Sequence, residues 1–223
     1  FTTPTVRLLN TSWYRRGDSV AGPMVFLLRF NQPVRRADIA AHLSASLARH
    51  DWEAPAVGAD DLARYTAVNP VGLAAFEAKV AAVSRVAAGG TPVRIRLTTQ
   101  WDRERYPAAA NLVVFESVSV IEPESHVRLV LNGRVPSPAG PATPGRAQIY
   151  TVEAEPAFFV DGFQCRSACP GDDYNPLRFR VPVRATAFAA AASALDITAA
   201  PQPVKKAGPP RRADDEDDAS AYL

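Results

Sequence analysis

At 223 residues the chain has room for one large domain or two modest ones, each with its own core. Its 25 basic and 23 acidic residues leave a formal charge of +2, which argues against nucleic acid as a partner, and no apolar run approaches the length needed to span a bilayer. Apolar residues make up 47%, a globular composition, and twenty prolines against twelve glycines lean it toward short strands ended by turns, because proline lacks a backbone donor and fixes φ.

In chain order, the first strong element is Met24–Phe30, apolar apart from Arg29 and bounded by Gly22-Pro23 and Pro33. It predicts a buried strand that stops pairing near Pro33, since proline cannot donate to a ladder. In RRADIAAHLSASL, Ile39 and Leu43 stand at helical spacing, enough for a short helix. Residues 52–100 break the β pattern. Asp60 offers a cap in ADDLARY, and Asn69-Pro70 opens a longer helix with Leu73, Phe76, Val80 and Val83 on one stripe and Gly89-Gly90 as its stop. Strands resume at TPVRIRLTTQWD, where Val93, Ile95 and Leu97 alternate with polar residues. NLVVFESVSVI, HVRLVLNG, RAQIYTVEA and AFFVDGFQC follow, separated by turns such as VPSPAGPATPG.

A repeat organises this series. LRFNQPVRRADIAA at 28–41 and LRFRVPVRATAFAA at 177–190 share eight of fourteen residues, with Phe30 and Phe179 set 149 positions apart. Duplication at that spacing predicts two copies of one domain type rather than a solenoid. The expected fold class is all-β: an Ig-like β-sandwich over residues 1–163 with a helical insertion at about 52–90, then the start of a second sandwich over 164–223. Phe30 and Phe179 are the expected core anchors, and Pro33 and Pro182 the equivalent strand ends. The Pro-rich, charge-segregated stretch at about 200–219 reads as a solvated loop. The opening FTTPTVRLLN and the closing SAYL both read as cut ends of a longer protein.

Reactive motifs are sparse. Cys165 and Cys169 lie four apart in FQCRSACPGDDYNP and are expected to form a small disulfide loop in an exported protein, with two unpaired thiols as the other reading. Asp172, Asp173 and Asn175 read as an Asx-type turn rather than a calcium loop. His42 and His50 are eight apart, beyond the i, i+4 spacing of helical metal ligands, and with His126 they read as hydrogen-bonded structural side chains. No nucleophile elbow, phosphate loop or dinucleotide fingerprint is written here, so the expectation is a non-enzyme without cofactor or metal.

VFLLRFNQPV and DDYNPLRFRVPVRATAFAAA resemble the amino-terminal Ig-like (macroglobulin) domains of bacterial α2-macroglobulin family proteins, and VPSPAGP is similar to that family's Leu-Pro-Ser-x-Ala-Gly-Pro turn. The resemblance covers most of residues 20–197, but neither the helical insertion nor the charged loop. It implies a periplasmic protease trap, usually a lipoprotein at the inner membrane, in which a bait region is cleaved and an internal Cys–Gln thioester captures the attacker. The thioester motif is Cys-x-Glu-Gln. Cys165 is followed by Arg-Ser-Ala and Cys169 by Pro-Gly-Asp, so neither inherits that role. The resemblance thus implies a non-catalytic scaffold segment. Its partners would be proteases, met through other regions of the protein, and a peptidoglycan-synthesising penicillin-binding protein, with membrane contact only through a lipid anchor elsewhere. The other reading is an Ig-like module of a surface adhesin or carbohydrate-associated protein, since fold alone does not fix function.

Overall fold

A run such as MVFLLRF reaches minimum exposure only where both of its faces are covered. The computed structural model, which describes residues 4–163, 176–192, 195–196 and 202–203, buries six of its seven residues. The described fold is β-rich, with two larger antiparallel sheets and a few helices. It divides into two compact units, 1–52 with 81–155 and 53–80 with 156–223.

The first unit holds β1 (Leu8–Arg15), β2 (Met24–Phe30), α1 (Arg36–His42), β3 (Leu43–Ala48), β4 (Ile95–Leu97), β5 (Leu112–Ser117), β6 (His126–Leu131) and β7 (Gln148–Glu153). The strands make a four-stranded sheet in the order β1-β2-β5-β4 and a three-stranded sheet in the order β3-β6-β7, antiparallel throughout. Successive strand residues face opposite sides, so β2 splits its apolar residues between two clusters. Met24, Phe26, Leu28 and Phe30 join Val113 and Phe115 of β5, Val127, Leu129 and Leu131 of β6, and Val152 of β7 in one core shared by the two sheets. Val25 and Leu27 turn the other way and meet Leu112 and Val114 beneath Tyr14, Trp101 and Tyr106. Each fully buried side chain of this size contributes about 1.5–3 kcal/mol.

In the second unit, α2 (Ala59–Val68) leads into α3 (Pro70–Ala88), whose residues from Ala81 onward belong to the first. Asn69 serves both helices. Its N–H donates to Tyr65 O at 2.8 Å to close α2, and its Oδ1 accepts the Gly72 N–H at 2.9 Å to open α3. β8 (Val160–Phe163), β9 (Leu177–Phe179), α4 (Ala185–Ala191), β10 (Leu195–Asp196) and β11 (Gln202–Pro203) complete the unit, with β8 pairing β9 and β10 pairing β11, both antiparallel.

Several local expectations are corrected. Asp60 lies in the first turn of α2, and Gly58 is the residue that precedes the helix. Leu43 belongs not to a helical stripe but to β3, because α1 stops at His42 and the chain pairs at once with β6. TPVRIRLTT does not run as one strand. Pro92 bridges Ser46 and the Val93 N–H donates to Ala45 O at 2.9 Å, at the β3 edge, before Ile95–Leu97 joins β5 in the other sheet. The segment AFFVDGFQC does not close the first copy, since Val160–Phe163 pairs with Leu177–Phe179. Finally β1, written LLNTSWYR, is a strand without an apolar alternation strong enough to announce it.

Candidate functional site

The repeated segment is built the same way twice. Leu8 pairs with Phe30, the register then slips by one, and Asn10 pairs with Arg29; Val160 pairs with Phe179, the register slips likewise, and Gly162 pairs with Arg178. A bulge at matching places bends both hairpins alike. Past the strand the hydrogen bonds also match. Asn31 N–H donates to Arg7 O at 3.0 Å and Arg180 N–H to Phe159 O at 3.1 Å. Each copy then carries its proline and forms a seven-residue helix six positions beyond the phenylalanine, opened by Ile39 N–H to Arg35 O in one and Phe188 N–H to Arg184 O in the other. Pro33 and Pro182 therefore occupy the same place, three residues past the strand, and both are exposed.

The surroundings of the two phenylalanines differ in degree of burial. Phe30 is wholly inaccessible in the shared core. Phe179 is half-buried, stacked on Phe158 with ring centroids 5.8 Å apart and edge-on to Phe188 at 5.4 Å. Cys165, Cys169, Asp172, Asp173, Asn175 and all of the 200–219 stretch except Gln202–Pro203 lie outside the described residues.

Charged groups unforeseen from the sequence tie the first unit together. Arg15, only 7% exposed, holds both carboxylate oxygens of Glu155 and donates to Ile121 O at 2.6 Å and Gly22 O at 3.2 Å. Glu116 is buried between Arg16 and Arg96. Burial alone would push its carboxyl up, but hydrogen bonds and charge from Arg96 and Arg16 outweigh it and hold the pKa below the ordinary value of 4.5. Partners up to 140 residues apart leave no local signal to find.

Of the histidines, His42 donates through Nδ1 to Asp38 O at 2.8 Å and so anchors the end of α1. His50 and His126 stack face to face with centroids 3.8 Å apart. Burial, with His50 adding to it, lowers the His126 pKa against the opposing pull of Glu153 and Glu124. His50 Nε2 and Ser125 Oγ are buried without a hydrogen-bond partner among the described residues. In the second unit the Lys79 ammonium, its pKa lowered by burial, rests 5.3 Å and 5.0 Å from the Phe158 and Phe159 rings.

A cleft of about 410 Å³ lies between the α1–β3 junction and the end of β6, lined by His42, Ser44, Asn132, Arg134 and Gly145 among others. Asn132 Oδ1 accepts the Arg134 N–H at 2.9 Å. Among the described residues no three His, Cys, Asp or Glu side chains converge as metal ligands, and no helix is long and apolar enough to cross a membrane. The doubled hairpin-and-helix is thus the feature that organises the described structure. In comparisons with known proteins, no family model, no curated protein and no solved structure matches the chain.

Proposed function

We propose that this chain is a non-catalytic scaffold segment of a protease-trapping protein of the macroglobulin type, made of tandem Ig-like sandwiches and working in the periplasm. The observation that carries the reading is the unit built twice: strand, bulge, strand, proline turn and seven-residue helix, on the words LRFNQPV and LRFRVPV. Tandem β modules suit a frame that encloses a bound protein. Each has its own core, so a frame made of them can shift module against module without unfolding. The ion pairs of buried Arg15 with half-buried Glu155, and of buried Glu116 with two more exposed arginines, brace such a module.

In this reading the partners are proteases engaged by other regions of the gene product. A trap leaves the protease active on small substrates while shielding it from large ones. The test is to incubate the gene product that carries this chain with trypsin and follow a small chromogenic peptide beside a large protein substrate. Cleavage of the first should persist while cleavage of the second falls. Residues 1–223 alone should inhibit neither. Undiminished cleavage of both substrates by trypsin in the presence of the whole gene product, or strong inhibition by residues 1–223 alone, overturns the reading.

A further inference from the structure

The four-stranded sheet of the first unit has an outer face as well as a core face. There Val25 and Leu27 of β2 meet Leu112 and Val114 of β5, and three rings, Tyr14, Trp101 and Tyr106, pack against them. The rings are fixed to one another. Trp101 Nε1–H donates to Tyr106 O at 2.8 Å, Tyr14 stacks on Tyr106 with centroids 5.8 Å apart, and the Tyr14 hydroxyl accepts the Asp102 N–H at 2.9 Å.

Arginines form the next layer out. The guanidinium carbons of Arg36 and Arg103 stand 5.9 Å and 4.8 Å from the Trp101 ring centre, and that of Arg105 stands 5.3 Å from the Tyr106 ring. Arg103 also donates to Thr99 O at 3.2 Å, which sets the direction of its fork. All three arginines are exposed, and none forms an ion pair among the described residues. Of the nearby carboxylates, Asp102 accepts the Arg105 N–H at 2.9 Å, Glu104 is exposed, and Glu116 is shared by Arg16 and Arg96. Cations held by ring faces rather than by carboxylates keep their outward N–H groups for a visitor. Ala185 stands where Arg36 does in the repeat, so the second copy lacks that cation.

We propose that this face docks an acidic polypeptide segment, whose carboxylates pair with the forks of Arg36, Arg103 and Arg105. Charge sets the sign of the partner, and composition sets its class. Trp, Tyr and Arg are the residues that carry binding energy at protein–protein interfaces, and a guanidinium fork matches a carboxylate with two parallel hydrogen bonds. A nucleic acid or a sugar needs open ring faces to stack on, and here the ring faces carry guanidiniums and each other. A lipid surface needs apolar groups that project, whereas the three rings are half-buried over the sheet. The inference goes beyond the protease-trapping reading and does not depend on it.

The test titrates a hexaglutamate peptide into residues 1–223 at low salt and follows the tryptophan indole N–H signals by NMR. Trp101 sits against two of the arginines, so its signal should move to saturation while those of Trp13 and Trp52 stay in place. Each of Arg36→Gln, Arg103→Gln and Arg105→Gln should weaken binding about threefold, and the three together at least about tenfold. Arg103→Lys keeps the charge without the planar fork and should fall between the parent and Arg103→Gln. Arg128→Gln, an equal loss of charge on the exposed side of β6 in the other sheet, should change nothing. The substituted side chains are exposed, so the variants should keep the parent's urea midpoint; if the triple variant does not, the single variants decide. Absence of binding, a silent Trp101 signal, or affinity undiminished by the substitutions overturns the proposal. So does equal or tighter binding of a galacturonate hexamer, a thymidine hexanucleotide or phosphatidylglycerol vesicles, any of which assigns the face to another class of partner.

Discussion

Phe30 and Phe179 occupy the same place in two copies of one hairpin yet bear unequal weight. Phe30 lies in a core closed on every side, so Phe30→Ala should cost about 3–5 kcal/mol through lost transfer energy and the cavity left behind. Phe179→Ala removes a half-buried ring, and should cost about 1–2 kcal/mol. Urea denaturation followed by amide exchange in each unit separates the two values; equal losses would contradict the burial difference. Glu116→Gln leaves two guanidinium groups facing a neutral amide, and should cost about 1–3 kcal/mol at pH 7. Because the Glu116 pKa is held below 4.5, its contribution is complete above that value and is lost as pH falls through the depressed pKa, so the variant should be less acid-sensitive than the parent. His126 gives a second acid-side term at milder pH. Its pKa is lowered from 6.5, so the unfolded chain takes up the proton first, and stability complete above 6.5 declines below it. His126→Phe should flatten the urea midpoint between pH 7 and 5, and a slope unchanged by the substitution would remove His126 as the cause.

Among the elements, the span of α3 was legible, because its signals are local: a cap, a proline and a glycine stop. Of the expected stripe, Val83 is buried while Leu73, Phe76 and Val80 are half-buried, and Val86 and Ala87 join Val83 instead. Asn69→Ala removes one side-chain cap and should lower the stability of the helix by about 1 kcal/mol, seen as faster exchange in its first turn. At the other end Gly89 has φ 70°, and a Cβ there would come within 2.4 Å of the Arg49 backbone nitrogen. Gly89→Ala should cost at least about 1–3 kcal/mol in thermal denaturation, as the strained conformation and the close approach add. β2 was legible for a different reason, since an apolar run between proline turns has few ways to be buried. What stayed hidden depends on partners distant in sequence. β1 is polar along much of its length and owes its place to β2 and to contacts such as Gln148 Oε1 accepting the Leu8 N–H at 2.9 Å. The short extent of β4 reflects a chain passing from one sheet to the other, which alternation alone does not record. β8 carried a strand pattern, but nothing in AFFVDGF said which side of the boundary it would pair on.

Across the two units, the duplicated words did announce duplicated geometry, down to the bulge beside Arg29 and Arg178. The ion pairs stayed silent until the fold brought their ends together. One further arrangement has an engineering consequence. The excursion that holds α2 and the start of α3 leaves the first unit after β3 and returns before β4, and its stems are stitched to each other by Gly90 N–H to Leu47 O at 2.8 Å, Leu47 N–H to Thr91 O at 2.8 Å and His50 N–H to Ala87 O at 3.0 Å. Once such stems are clasped, the loop's length matters little, at about 0.6 kcal/mol per doubling. The clasp is thus a socket: a foreign segment with suitably spaced ends, grafted there, should leave the register of the first unit's sheets unchanged.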